Sequence, residues 1–405
     1  MRQTALNIIL VAAACAMLPS CEKDDSTFSD YDFSKYSLRS VQGDDDDAET
    51  LSDTIALNIR WNGDYAYTEG ETGDSVTIVT GAKGSDVIVT ATTQRFLQIT
   101  VSGTSTDGSL LVYGERKWAL VLNGLTLNNP DGPAINNQCG KALYVTLADD
   151  TENTITDGST YAEAEIDQKG AFFSEGQLYL RGNGTLSVTG NCKNAIASDD
   201  YIVVGDDSQP SAVSAGPVVN VQAKGTNGIK ANDGMEIAGG LLTINVESNG
   251  GRGIKSDAYV AISGGQTTIT TTGDCLEETL DDGTTDYASC AGIKSDSLFT
   301  MTAGQLTITS TGDGGKGINC AQNVEMSGGT LVVTTTGTNY VAKPKGVKSD
   351  TGIIVSGGSF SVSVDKSWAC DNGTDSDDPA ERVTIVGSPS ATPILEKKNV
   401  VITYD

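Results

Sequence analysis

Gly253-Ile254-Lys255-Ser256-Asp257 opens a stretch that runs through Tyr259-Val260-Ala261-Ile262, turns at Gly264-Gly265 and continues as Gln266-Thr267-Thr268-Ile269-Thr270-Thr271. The same order recurs along the chain. Gly228-Ile229-Lys230, Gly292-Ile293-Lys294, Gly317-Ile318-Asn319 and Gly346-Val347-Lys348 lead to small-residue turns at Gly239-Gly240, Ala303-Gly304, Gly328-Gly329 and Gly357-Gly358. In all five copies the turn begins ten positions after the Ile or Val, and the copies follow one another at 25, 39, 25 and 29 residues. A period in this range marks a stacked repeat architecture.

Val, Ile and Thr dominate each copy and Gly punctuates it, which is strand-and-turn composition. Parity agrees. Ile254, Ser256, Ala258, Val260 and Ile262 fall on one face, and Lys255, Asp257, Tyr259 and Ala261 on the other. Alternation of period two separates an inner from an outer face. A repeat of about 25 residues with short strands cannot bury its own apolar face, whereas stacked repeats can, at roughly 4.8 Å each. The expected fold is all-β, a right-handed single-stranded parallel β-helix with capped ends. A propeller is the alternative, but its blades run to about 40–50 residues. Weaker copies at Ala134-Ile135-Asn136, Ala171-Phe172-Phe173-Ser174 and Ala195-Ile196-Ala197-Ser198-Asp199 extend the array upstream. Residues 55–127 and 383–404 lack the repeat and read as caps.

The N-terminus reads differently. Arg2 precedes an apolar run, Ile8 to Leu18, that is too short to span a bilayer. Leu18-Pro19-Ser20-Cys21 then resembles a bacterial lipobox, so residues 1–20 are expected to leave as a signal peptide and Cys21 to carry lipid. Glu22-Lys23-Asp24-Asp25 is similar to the acidic export signal of Bacteroides-type surface lipoproteins. Residues 21–50, with Asp44 to Asp47, read as an acidic tether, and 51–405 as the folded domain. The expected address is the outer membrane, with the domain displayed at the cell surface.

The chain carries a net charge of −27 and no histidine. Such a surface opposes nucleic acid and suits divalent cations. The lack of histidine removes Ser-His-Asp hydrolysis but leaves chemistry that needs only carboxylates or lysine. An extracytoplasmic address permits disulfides. Cys275 and Cys290 bracket the insertion that lengthens one period to 39 residues, and a bridge between them would close that loop. Cys320 has inner parity and reads as a small core residue.

In a stack, equivalent residues form columns. Lys230, Lys255, Lys294, Asn319 and Lys348 make one, and Asn232, Asp257, Asp296, Ala321 and Asp350 another, two positions on. One reading is mutual neutralisation, since like charges about 4.8 Å apart repel unless opposite charges flank them. The other is a binding ladder for a linear polymer, with the lysines and outward Tyr259 as ligand contacts. Asp257, Asp296 and Asp350, with Asp274 and Asp313 on turns, could then hold Ca2+ through oxygen ligands. The loop carboxylates Glu277, Glu278, Asp281, Asp282 and Asp286 point the same way. A catalytic base is singular whereas this lysine recurs, which favours binding over catalysis. The tyrosines and tryptophans show no regular aromatic column, and Trp61 and Trp118 read as packing residues.

Two further stretches carry a resemblance, Leu125-Thr126-Leu127-Asn128-Asn129-Pro130-Asp131-Gly132-Pro133-Ala134-Ile135-Asn136 and Tyr144-Val145-Thr146-Leu147-Ala148-Asp149-Asp150-Thr151-Glu152-Asn153-Thr154-Ile155-Thr156-Asp157-Gly158. Followed by the Gly-Ile-Lys-Ser-Asp repeats, they resemble the cellulose- and polygalacturonate-binding β-helix family of bacterial surfaces, over most of 51–405. The resemblance implies a right-handed parallel β-helix with a pectate-lyase-like fold. It also implies binding of calcium and of acidic or cellulosic polysaccharide, with Asp257, Asp296 and Asp350 as contacts. The fourth repeat departs from the pattern, with Asn319-Cys320-Ala321 where the others have Lys-Ser-Asp. Two rivals stay open, a calcium-dependent lyase with a lysine base and a structural adhesin. The lyase predicts a single cleft in which one Lys or Arg faces three carboxylates. The adhesin predicts an exposed apolar patch.

Overall fold

A computed structural model describes residues 54–70, 72, 75–81, 84–205, 216–279, 283–338 and 342–405. The leader, Cys21, the tether, Asp281 and Asp282 lie outside the described residues. Every regular element described is a strand, apart from one 3-10 turn at Pro379–Arg382. The strands form a sheet of 23, a sheet of 12 and a two-stranded hairpin.

The repeat maps onto these sheets in register. The Gly-Ile-Lys segments are strands Ile229–Ala231, Arg252–Ser256, Ala291–Ser295, Lys316–Cys320 and Lys345–Ser349 of the twelve-stranded sheet. Each pairs in parallel with its equivalent in the next repeat, so Ile229, Ile254, Ile293, Ile318 and Val347 align. All five are fully buried, and burying such a side chain is worth about 1.5–3 kcal/mol. The preceding glycine packs inward. A Cβ on Gly253 would run into Ile269, and one on Gly292 into Ile308. The isoleucine that follows the turn, in Gln266–Thr271 or Gln305–Ser310 of the larger sheet, fills the space that the glycine leaves.

The turn glycines explain the other invariant. Gly240, Gly265, Gly304, Gly329 and Gly358 all have φ between 67° and 81°, a conformation that side chains disfavour. After each Lys, or the Asn319 in its place, comes a buried small residue, Ala231, Ser256, Ser295, Cys320 or Ser349. Ser295 Oγ donates to the Ala258 carbonyl at 2.8 Å and Ser349 Oγ to Gln322 at 2.7 Å, so these hydroxyls tie adjacent repeats together. Cys320 stands in the same column as a buried thiol.

The stack begins earlier than the sequence suggested. Phe96–Ser105 pairs in parallel with Thr54–Asn62 on one side and Trp118–Asn129 on the other, and Asp86–Ala91 pairs in parallel with Ser109–Gly114. Most of 55–127 is therefore laddered without the Gly-Ile-Lys signature. Among the described residues, antiparallel pairing at the N-terminal end is confined to Thr54–Asn62 with Tyr65–Gly70 and Val76–Thr80 with Asp86–Ala91. At the other end Asn399–Thr403 returns antiparallel along Ser359–Val364. Trp61 and Trp118 are buried, and their indole N–H groups reach Ser85 O at 2.7 Å and Asn137 Oδ1 at 3.2 Å.

The expected Cys275–Cys290 bridge is not formed, and both cysteines are buried free thiols. The loop is closed by hydrogen bonds, as Leu276–Thr279 pairs antiparallel with Thr285–Ala288. With Leu276 opposite Ala288, that register sets Cys275 across from Ser289 rather than Cys290. The Cys290 sulfur turns toward the Ser248 carbonyl at 3.9 Å, and the Cys275 sulfur faces Gly314.

Candidate functional site

Parallel pairing places Lys230, Lys255, Lys294, Asn319 and Lys348 in one column, ending on Asp371. The four lysine side chains are between 24% and 32% exposed, and each is paired. Asp257 is shared, with Lys255 at 3.0 Å and Lys230 at 3.1 Å from the repeat before. Lys294 binds Asp296 and Lys348 binds Asp350, each within its own repeat. Burial pushes the Asp257 carboxyl up, but hydrogen bonds and charge from Lys255 and Lys230 outweigh it and hold its pKa below the usual range. Pairs this exposed contribute at most about 1 kcal/mol each, so neutralisation and ligand binding remain compatible.

The five aspartates read as calcium ligands are already engaged. Asp257, Asp296 and Asp350 hold lysines. Asp274 and Asp313 belong to a ladder along a turn column. Asn249 Oδ1 accepts from Asp274 N at 3.0 Å, Asp274 Oδ1 from Asp313 N at 2.8 Å, and Asp313 Oδ1 from Thr338 N at 2.8 Å. The Thr338 hydroxyl and amide keep the Asp313 carboxyl below its ordinary value.

Tyr259 is not brought to the lysines. It lies in Tyr259–Ile262 of the larger sheet, its ring over Gly234 and its hydroxyl on Glu236. The same sheet holds a short aromatic cluster that the sequence reading did not find. Tyr144 stacks on Tyr179 with centroids 4.9 Å apart, and Tyr179 meets Tyr201 edge-on at 5.7 Å. The Arg181 guanidinium lies 4.6 Å from the Tyr144 ring centre. These tyrosines fall in upstream repeats without the Gly-Ile-Lys marker, so their alignment is not evident from spacing.

The acidic column also continues upstream. Backbone bonds from Asp199 N to Ser174 O and from Asn232 N to Ser198 O carry it through Asn232 to Asp199 and Glu175. With Asp167 these form the group of carboxylates among the described residues that could hold a metal ion. Lys169 already sits among them, 2.6 Å from Asp167 and bonded to Asp199. Burial works against its charge, but the two carboxylates prevail and its pKa is raised. Burial, then the Asp199 and Asp167 charges, push Glu175 up, against Lys169. A groove of about 530 Å³ adjoins, lined by Tyr161, Asp167, Lys169, Cys192 and Lys193 among others. The sequence carried a signal for Glu175, an acid directly after the buried Ser174.

Lys169 thus does the work expected of a cation. Replacing it with methionine leaves three carboxylates without a counter-charge, a loss of about 1 kcal/mol for groups this exposed. The variant should melt a few degrees lower in chelator and recover in millimolar calcium. Melting indifferent to calcium would mean that the triad takes no metal.

Residues 83–281 and 216–381 match the family model described as carbohydrate-binding domain-containing protein. A curated carbohydrate-binding domain-containing protein of Acetivibrio thermocellus is 32% identical over 112 residues, covering 26% of this chain and 39% of that protein. The match therefore spans well under half of the relative's length. A solved structure described as a polysaccharide lyase-like protein from C. thermocellum, gadolinium derivative, aligns with a TM-score of 0.48 at 21% identity, over 67% of this chain and 97% of that one.

Proposed function

The chain belongs to the carbohydrate-binding domain-containing protein family, whose model covers well over half of it, and from that premise we propose that it binds an acidic or cellulosic polysaccharide laid across the repeats. The observation that carries this reading is the in-register lysine column with its aspartate partners. Ammonium groups donate and carboxylates accept, so a row of Lys–Asp pairs matches a polymer of hydroxyls and carboxylates. Contacts weak at each repeat gain strength in sum.

The ladders are read as a right-handed single-stranded parallel β-helix. Lipid on Cys21 anchors the chain in the outer membrane, with the domain at the cell surface. Calcium assists binding, and the carboxylates it would share with Lys169 are Asp167, Glu175 and Asp199. An acidic surface leaves nucleic acid outside the range of partners.

The test is retention on immobilised polygalacturonate, with calcium and with chelator. Wild type should be retained, and Lys255→Ala with Lys294→Ala should elute earlier while keeping its melting point. Unchanged retention in that double variant would remove the ladder from the reading.

A lyase is the second reading, and one observation favours it. Lys169 faces three carboxylates beside a groove. Its raised pKa opposes it, since a protonated amine cannot abstract a proton. Ultraviolet absorbance from an unsaturated uronate in the same assay would establish the lyase.

A further inference from the structure

The fourth repeat breaks both charged columns at once. Asn319 stands where its neighbours have Lys294 and Lys348, and Ala321 where they have Asp296 and Asp350. The break removes one charge of each sign, and a lysine without a counter-charge lies beside it. Three positions before Asn319, and partly exposed like it, lies Lys316, aligned with Ala291 before it and Lys345 after it. Lys345 is held by Asp371. Lys316 has no such partner. Its ammonium donates to the Ser289 hydroxyl, and no carboxylate pairs with it among the described residues.

Lys316 is half-buried. Burial, followed by the Lys348 and Lys345 charges, lowers its pKa to about 8. Lys294 adds to that repulsion and Cys275 opposes it. Every other lysine of this face, Lys230, Lys255, Lys294, Lys345 and Lys348, has a carboxylate in contact. In a chain of net charge −27, this is a local surplus of positive charge, in the repeat whose outward columns carry Asn319 and Ala321 in place of a Lys–Asp pair. An uncompensated, partly desolvated ammonium is stabilised by any anion that reaches it, and the interaction is stronger there than at an open surface.

We propose that the notch at Asn319 and Ala321 is a carboxylate-recognition subsite, in which Lys316 receives the acid group of a uronic-acid residue while the Lys–Asp pairs of the flanking repeats contact its neighbours. The proposal rests on the polysaccharide reading above and deepens it, because it makes the ligand acidic and assigns one repeat to reading the charge. The flanking pairs contact hydroxyls and carboxylates alike, so the discrimination falls to Lys316. The Asn319 amide offers both a donor and an acceptor beside the acid group.

The test uses the full chain and two soluble probes, a tetragalacturonate and a cellotetraose, with affinities from calorimetry. Wild type should bind the acidic probe more tightly. Lys316→Met should weaken it about tenfold or more, the scale of a lost charge-assisted hydrogen bond. Ala321→Asp should do the same by placing a like charge where the acid group would lie, and it introduces only the side chain that repeats two, three and five already carry, so its fold is safe. Affinity for the acidic probe should also fall as pH rises through about 8, because the anion loses its cation when Lys316 deprotonates. Cellotetraose binding should be the same in all three chains. Equal affinity of both variants and wild type for tetragalacturonate overturns the subsite and leaves the polysaccharide reading standing. A wild-type preference for cellotetraose overturns it too. Binding of neither probe overturns the subsite together with the function it rests on.

Discussion

Alanine at Gly312 should destabilise the domain by about 3 kcal/mol or more, although it adds only one methyl group at a buried turn. The position belongs to a column of close approaches. A Cβ on Gly312 would fall on the Gly273 carbonyl, with the Asp274 amide nitrogen at 3.0 Å, and one on Gly337 would fall on the Gly312 carbonyl. Gly273 is set in the same way against Ser248. The obstacle is backbone in every case, so no rotamer change relieves it. The repeats would have to part, and parting them strains the ladder that runs from Asn249 through Asp274 and Asp313 to Thr338. Backbone shifts forced by overpacking cost about 1–3 kcal/mol, occasionally more, and here two flanking repeats resist. The control is Gly283→Ala. Its φ of 79° is unfavourable for alanine, yet nothing lies within 4 Å of the added carbon. That variant should lose only about 1 kcal/mol. Urea midpoints of the two chains decide the matter, and equal midpoints would mean that turn conformation, not stacking distance, sets the glycine column.

The ladders were legible because their causes are local. A buried Ile, a glycine where the next strand's isoleucine intrudes, and a turn glycine at positive φ each constrain one residue type. Together they recur at fixed spacing. The stacking of 55–127 was not legible because Leu, Val and Ile there occupy inward positions without the glycines that mark the later repeats. Leu97, Ile99, Val101, Leu120 and Leu122 are as buried as any, but alternation alone does not say which strand lies beside which. The site was legible in columns and illegible in pairings. Spacing placed Lys255 next to Asp257 and predicted the row. It could not show that Asp257 is shared with the preceding repeat, or that Asp274 and Asp313 spend an oxygen each on backbone amides. The disulfide expectation failed on register, since cysteines that bracket a loop face one another only if the hairpin pairs them. The acids around Lys169 escaped notice because Asp167 comes from a connecting segment that aligns with no column.

Removing the carboxylate at Asp371 should cost about 3–5 kcal/mol, the loss expected when one partner of a buried ion cluster is deleted. Asp371 closes the lysine column at the last strand of the twelve-stranded sheet. It holds Lys345 through one oxygen and Arg382 at 2.7 Å through the other, and the two cationic side chains are only 12% and 6% exposed. Arg382 in turn reaches the carbonyls of Thr374 at 3.0 Å and Ser376 at 2.7 Å and lies 3.8 Å from the Trp368 ring centre. The cluster therefore clips residues 374–382 across the edge of the sheet. Asp371→Ala leaves two buried cations facing each other, whereas Asp371→Asn keeps the shape and loses only the charge, so the alanine chain should be the weaker. The pH dependence has a definite sign. Burial pushes the Asp371 carboxyl up, but Lys345, with help from the Gly373 amide and Arg382, brings it below its ordinary value. A carboxyl depressed on folding contributes stability that is complete above the unfolded value, near 3.9, and disappears as pH falls through the folded one. Wild type should thus lose stability below about pH 4 more steeply than Asp371→Ala. Part of the slope survives in the variant, because Asp257 is depressed in the same direction. Chemical denaturation at neutral pH and at pH 3 measures both effects, and an alanine variant as stable as wild type at neutral pH would show that Lys345 and Arg382 find water in place of the carboxylate.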